Sequence, residues 1–203
     1  MIGILGGMGT QAGLDFCDKL AKLNRGKLDQ KYPMFILYNK SNTPKRAENL
    51  KKYKNFLKEL IAGCKLLEKN KCKFIVMPCN TAHYWHEDIQ KKISIPFLSM
   101  PKEVYLDTKK RCRPKSTIGL LSTQATLDTN IYHKYFNKTF RLLNPTTKLQ
   151  RSSVNTAIKY VKMGKVKEAE RTLRPAVKYL MKKNCEKIIL GCTELPIAIF
   201  AYK

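Results

Sequence analysis

Short, largely apolar runs recur at residues 2–5, 35–38, 74–77, 117–121, 140–143 and 187–190. None alternates cleanly between apolar and polar positions, which suits strands covered on both faces, as in a parallel sheet flanked by helices. Between these runs the apolar spacing changes to that of a helix. Leu50, Phe56, Leu57, Leu60, Ile61, Cys64 and Leu67 fall on one helical face. Further helices are expected over residues 10–24, 81–92, 126–136, 154–163 and 166–183, the last two separated by Gly164. Residues 95–98 read as extended, and Pro101 stands where a new helix can start. Strand and helix alternate throughout, so the predicted fold class is α/β.

The basic, proline-bearing stretch Lys109-Lys110-Arg111-Cys112-Arg113-Pro114-Lys115 marks a boundary. Two α/β subdomains are expected, 1–110 and 111–203, similar to one another and related by a pseudo-twofold. In each half a lysine-rich helix tail runs into an apolar strand that ends in a thiol, at Met77-Pro78-Cys79-Asn80-Thr81 and at Leu190-Gly191-Cys192-Thr193-Glu194. Open α/β sheets bind ligands beyond the carboxyl ends of their strands, where Cys79 and Cys192 are predicted to lie. The predicted active site is therefore a cleft shared by the two halves.

Taken singly, each of these cysteines is more often a small buried hydrophobe than a reactive group. The matched pair changes that balance, because two thiols facing one ligand suggest an acid and a base. Cys17, Cys64, Cys72, Cys112 and Cys185 have no comparable loop setting and read as packing residues. Zinc is disfavoured: no CxxC or HxxxH spacing occurs, and Cys72 and Cys185 are joined to Cys79 and Cys192 by strand residues. Cys79 opens a helix, so free backbone N–H groups would favour its thiolate. His83 is open to two readings, tuning of Cys79 or a plain helix-capping or surface role, and His86 favours the plain role. The turn Gly6-Gly7-Met8-Gly9 is a weak dinucleotide fingerprint, since Tyr38-Asn39-Lys40 stands where a ribose-binding acid is expected. Its glycines more simply allow backbone amides to approach a small anion.

Composition narrows the function classes further. Forty Lys and Arg against 15 Asp and Glu give a formal net charge of +25, which attracts acidic small molecules, nucleic acid or anionic surfaces. Most of this charge reads as solvated helix faces, and no nucleic-acid-binding signature accompanies it, so nucleic acid is a disfavoured partner. No run reaches the length of a membrane span, and the short apolar start lacks the basic region of a signal peptide. Seven cysteines, an odd number, fit reduced thiols and a cytoplasmic location.

Together these segments resemble the aspartate/glutamate racemase superfamily over nearly the whole chain. The anchors are the glycine turn after residues 2–5, Pro78-Cys79-Asn80-Thr81-Ala82-His83, Ile95-Pro96-Phe97-Leu98-Ser99-Met100, Gly119-Leu120-Leu121-Ser122-Thr123 and Gly191-Cys192-Thr193-Glu194-Leu195. The Gly-Gly-Met-Gly turn favours the aspartate branch over the glutamate branch, which has Asp-Ser-Gly there. Thr10 stands where proline is expected, and Ala125 where the Thr-x-Gly-Thr loop has glycine.

The resemblance implies two-base racemisation of an acidic amino acid, L-aspartate first, with no pyridoxal phosphate and no metal. Cys79 and Cys192 would be the catalytic pair. Asn80, Thr81, Thr123 and Thr193 would be donors to the α-carboxylate and amino group, with Met8 beside the substrate. Arg46 and Lys162 would hold the side-chain carboxylate, a task that suits arginine's bidentate fork. A homodimer is also implied. The chain's last residues, Tyr202-Lys203, follow soon after Cys192, so the second subdomain is expected to lack the strand and closing helix usual in the family. The rival readings are a related isomerase acting on glutamate or another small diacid, and a shortened, inactive relative that binds acidic metabolites or nucleic acid.

Overall fold

The computed structural model describes residues 1–26, 28–43 and 54–200, with backbone alone at residue 200. The chain forms two compact units that divide after Met100.

The first unit contains β1 (Ile2–Gly6), α1 (Thr10–Leu23), β2 (Phe35–Asn39), α2 (Lys54–Lys69), β3 (Phe74–Val76) and α3 (His86–Gln90). Its three strands are all parallel, in the order β2-β1-β3, with Ile4 opposite both Leu37 and Val76. Ile4 and Leu5 of the central strand are buried, as an apolar run without alternation requires. The helix α2 buries Phe56, Leu60, Cys64 and Leu67, spaced three or four apart, in one cluster with Leu5, Ile75 and Met77. Each such large side chain contributes about 1.5–3 kcal/mol by leaving water. Leu50 lies outside the described residues.

The second unit contains α4 (Met100–Arg111), β4 (Thr117–Ser122), α5 (Gln124–Asp128), α6 (His133–Phe136), β5 (Arg141–Leu143), α7 (Thr147–Leu149), α8 (Thr156–Lys162), α9 (Val166–Lys182), β6 (Lys187–Gly191) and α10 (Leu195–Phe200). Its sheet repeats the pattern of the first, parallel and in the order β5-β4-β6. On one side α9 buries Ala169, Leu173, Ala176 and Leu180 in a cluster with Ala157, Ile158 and Val161 of α8. A second cluster gathers Ile118, Leu120, Tyr132, Phe136 and Phe140. Val104 and Tyr105 of α4 pack against this cluster, with the Tyr105 ring edge-on to Phe136 at 5.4 Å. That packing is why residues 101–110, assigned to the first unit on sequence, group with the second.

The glycine turn after β1 has a steric cause. Gly7 adopts φ 95°, and a Cβ there would meet the Lys40 backbone carbonyl carbon at 2.3 Å. Glycine therefore lets the loop after β2 approach the loop after β1, with the Lys40 amide 3.3 Å from the Gly6 carbonyl.

Four predicted elements differ from the observed ones. Residues 81–92 form a 3-10 turn, Thr81–Trp85, followed by the short α3. The Cys79 carbonyl, which an α-helix would give to the His83 amide, is occupied by the His83 ring at 2.9 Å. The amide turns instead to the Asn80 carbonyl at 3.0 Å, which is the 3-10 pattern. Residues 126–136 divide into α5 and α6, with Asn130 left-handed at φ 54° between them. The helix expected at 154 begins inside a π-helical segment, Gln150–Asn155. Residues 95–98 make a single bridge, Phe97 to Ile75, rather than a strand. Among the described residues no helix is long and apolar enough to cross a membrane.

Candidate active site

Cys79 follows β3 by three residues and belongs to the first unit's core. It is 1% exposed and packs in the cluster that also holds Met8, Met77, Ala82 and Trp85. Its amide bonds the Met77 carbonyl at 2.7 Å, so the chain turns sharply where the strand stops. Asn80 and Thr81 are buried beside it. The structure thus gathers Met8, Cys79, Asn80 and Thr81 in one unit, and every one of them is buried. A five-residue 3-10 turn follows Cys79 in place of a full helix, which weakens the expected helix-end field at the thiol. Arg46 lies outside the described residues.

Cys192 follows β6 directly and is also buried. Its thiol donates a 2.9 Å hydrogen bond to Oε2 of Glu194. Burial, and then the charge and hydrogen bond of Glu194, push the Cys192 thiol well above its ordinary pKa, so near neutrality it holds its proton. The Thr193 hydroxyl is 3.4 Å from the same Oε2. The other oxygen, Oε1, is buried and makes no hydrogen bond among the described residues, and Nζ of Lys162 is 3.8 Å from it. The Lys162 side chain is 47% exposed, so its ammonium is hydrated while its field reaches the buried carboxylate.

This arrangement is a thiol, a carboxylate and an ammonium in sequence, Cys192 to Glu194 to Lys162, with Thr193 at the same carboxylate. The proton on sulfur already points at a base, and the resulting neutral acid would sit beside a cation. The sequence reading missed Glu194. A signal was present, since a carboxylate two residues after a thiol at a strand end is within reach of that thiol, but burial of the carboxylate is not readable from spacing.

Thr123 stands at the end of β4 as the N-cap of α5, its Oγ1 accepting from the Thr126 amide at 3.1 Å and 2.9 Å from the Thr126 hydroxyl. Ala125 lies inside α5, where alanine favours the helix. Thr10 opens α1 and accepts a 3.2 Å hydrogen bond from the Asn39 side chain. All seven cysteines are free thiols, and no group of three or more His, Cys, Asp or Glu that could hold a metal occurs among the described residues.

The sequence model of the family described as Asp/Glu/Hydantoin racemase matches residues 5–201. A broad-specificity amino-acid racemase of Bacillus subtilis, RacX, is 30% identical over 199 residues, 96% of this chain and 86% of that protein. Among solved structures, an aspartate racemase of Picrophilus torridus is similar with a TM-score of 0.81 and 30% identity, covering 98% of this chain and 83% of that one. An aspartate racemase homologue from Pyrococcus horikoshii is similar with a TM-score of 0.78 and 27% identity, covering 98% and 87%.

Proposed function

Because this chain belongs to the Asp/Glu/hydantoin racemase family and is an amino-acid racemase, we propose that it racemises an acidic amino acid, aspartate first, using Cys79 and Cys192 as its two bases and no cofactor. The observation that carries this reading is the Cys192 thiol hydrogen-bonded to the buried Glu194 carboxylate. A packing cysteine has no need of a buried acid, which is costly to desolvate unless it has work to do. The resemblance of the Picrophilus torridus enzyme supports aspartate as substrate.

In the half-reaction that begins with Cys192 protonated, a Cys79 thiolate breaks the Cα–H bond and takes the proton on sulfur. The electron pair stays on the α-carbon, delocalised into the α-carboxylate. The Cys192 thiol then gives its own proton to the opposite face of that carbon. One S–H and one C–H form, one of each breaks, and the two sulfurs leave with exchanged protonation states. To restore the start Cys79 loses its proton to solvent and Cys192 gains one, which Glu194 supplies through Oε2 after its carboxylate has taken up a proton from solvent. In this reading Asn80, Thr81, Thr123 and Thr193 face the α-carboxylate and amino group, Met8 lies beside the substrate, and Lys162 with Arg46 holds the side-chain carboxylate. The resemblance also implies a homodimer, which sedimentation of the purified chain checks.

The Bacillus subtilis relative is a broad-specificity racemase, which favours testing neutral and basic amino acids beside the acidic ones. Incubation with L-aspartate in D2O, following loss of the α-proton signal together with the circular dichroism of the amino acid, tests the function. Exchange accompanied by racemisation is the expected result. Absence of exchange with aspartate, glutamate and the neutral panel would overturn the racemase reading. Exchange without loss of optical activity would overturn the two-base form alone.

A further inference from the structure

His83 lies four residues after Cys79 and is buried, with both ring nitrogens facing backbone carbonyl oxygens. Nδ1 is 2.9 Å from the carbonyl of Cys79 itself, and Nε2 is 3.3 Å from the carbonyl of Leu98. The ring also stacks near-parallel on Phe97, with centroids 5.5 Å apart. Phe97 and Leu98 are themselves held. The Leu98 amide bonds the Ile75 carbonyl at 2.9 Å, the Phe97 amide the Gln90 side chain at 2.7 Å, and Nε2 of His86 lies 2.7 Å from the Phe97 carbonyl. One imidazole thus joins the turn after β3, where Cys79 sits, to a segment fixed from three directions.

We propose that His83 is a positioning residue for Cys79: its ring, stacked on Phe97 and donating from Nδ1 to the Cys79 carbonyl, fixes the backbone that aims the thiol at the substrate α-carbon. This rests on the reading of Cys79 as a base. The reason for a histidine is geometric. A carbonyl at the end of a strand can be held by the amide four residues on only if a helix follows at once, and here the chain is in a 3-10 turn instead. The ring replaces that amide as donor, and its stacking on Phe97 adds a hold that a backbone amide could not supply. Burial pushes the ring's pKa down to about 4, so near neutrality it carries one N–H. The shorter contact assigns that hydrogen to Nδ1, donating to Cys79. Proton transfer is sensitive to such aim, because misplacement of a reacting group by about 1 Å can cost on the order of 100-fold in rate.

The test compares two near-isosteric variants. The amide nitrogen of Asn occupies the place of Nδ1, and that of Gln reaches toward Nε2. His83→Asn is expected to keep kcat within about threefold, whereas His83→Gln should lower kcat about 10- to 100-fold with little change in KM. In a two-base enzyme each enantiomer loses its α-proton to a different thiol. With α-deuterated L- and D-aspartate, His83→Gln should therefore raise the isotope effect for one enantiomer only, the one whose isotope effect the residual activity of Cys79→Ser also raises. Equal losses in both variants, or isotope effects that change alike for both enantiomers, would overturn the proposal. Nitrogen-15 NMR of histidine-labelled wild-type protein gives a check independent of variant folding: the Nδ1–H tautomer supports the proposal and the Nε2–H tautomer overturns it. A wild-type chain that racemises no amino acid sinks the functional reading and this inference together; an active wild type with symmetric effects sinks this inference alone.

Discussion

The Cys192 thiol and the Glu194 carboxylate share one proton-bearing contact of 2.9 Å, and the other oxygen of the same carboxylate lies 3.8 Å from the Lys162 ammonium. Glu194→Gln keeps the shape and removes the charge. Without the carboxylate, Cys192 should ionise at lower pH, while racemisation should fall on the order of 100-fold, because an amide cannot carry the proton. Thiolate absorbance as a function of pH, measured against a Cys192→Ser background, checks the first effect. An unchanged titration would show that the contact has no electrostatic weight.

Replacing either thiol of the proposed pair should abolish racemisation. Cys79→Ser and Cys192→Ser are each expected to lower the rate by roughly 10³-fold or more, and the double variant should be no worse than either single one, since groups that act as a unit are not additive. Additive losses in the two single variants and the double would separate the residues into independent roles.

The alternation of strand and helix was legible in the sequence because the central strands β1 and β4 are buried almost throughout and the edge strands are also largely apolar, which leaves few polar positions to confuse the pattern. All six strands lie where their apolar runs predicted, within about a residue or two. What the pattern could not show was decided by hydrogen bonds of particular side chains, which periodicity does not register. The His83 ring diverts the turn after Cys79, and the buried Glu194 acquires its role only through folding. Gln150 is a third case: its side-chain nitrogen bonds the Ser122 carbonyl and Asn155 at 2.8 Å each, within a π-helical segment that periodicity reads as ordinary helix.

Gly7→Ala tests the turn. The added Cβ would overlap the Lys40 backbone, which cannot rotate away as a side chain can, and the residue would hold a left-handed φ. A loss of about 2 kcal/mol or more in urea unfolding is expected. A change below about 0.5 kcal/mol, the scale of an ordinary surface substitution, would show that the two loops separate freely.

Stability should decline in alkali through the buried thiols. Burial pushes Cys64 from its ordinary value of 9.0 up to about 12. Between those values the folded chain keeps this proton and the unfolded chain releases it, so stability is full below pH 9 and is lost as pH rises toward 12. The slope from this one group is about 1.4 kcal/mol per pH unit. Cys64→Ala should flatten the curve measured by urea unfolding at pH 8, 9 and 10, and an identical slope would assign the alkaline loss to other groups.

Exhaustive dialysis against a chelator, followed by assay in metal-free buffer, should leave the racemisation rate unchanged, and the protein should show no absorbance above about 320 nm. The physical basis is that sulfur can serve as both acid and base near neutrality once its pKa is tuned. Loss of activity restored by a divalent cation would overturn the cofactor-free reading.

In both units the first strand in sequence is the central one and the last to emerge is the one that leads to the proposed base, β3 to Cys79 and β6 to Cys192. During synthesis neither sheet can be completed until its thiol-bearing strand has left the ribosome, so each half stays an unfinished two-strand layer until that moment. Acquisition of the reactive sulfurs is therefore a timed event: each can be enclosed only once its own sheet is complete, and accessibility of each thiol during refolding, read in single-cysteine variants, reports completion of the two sheets separately.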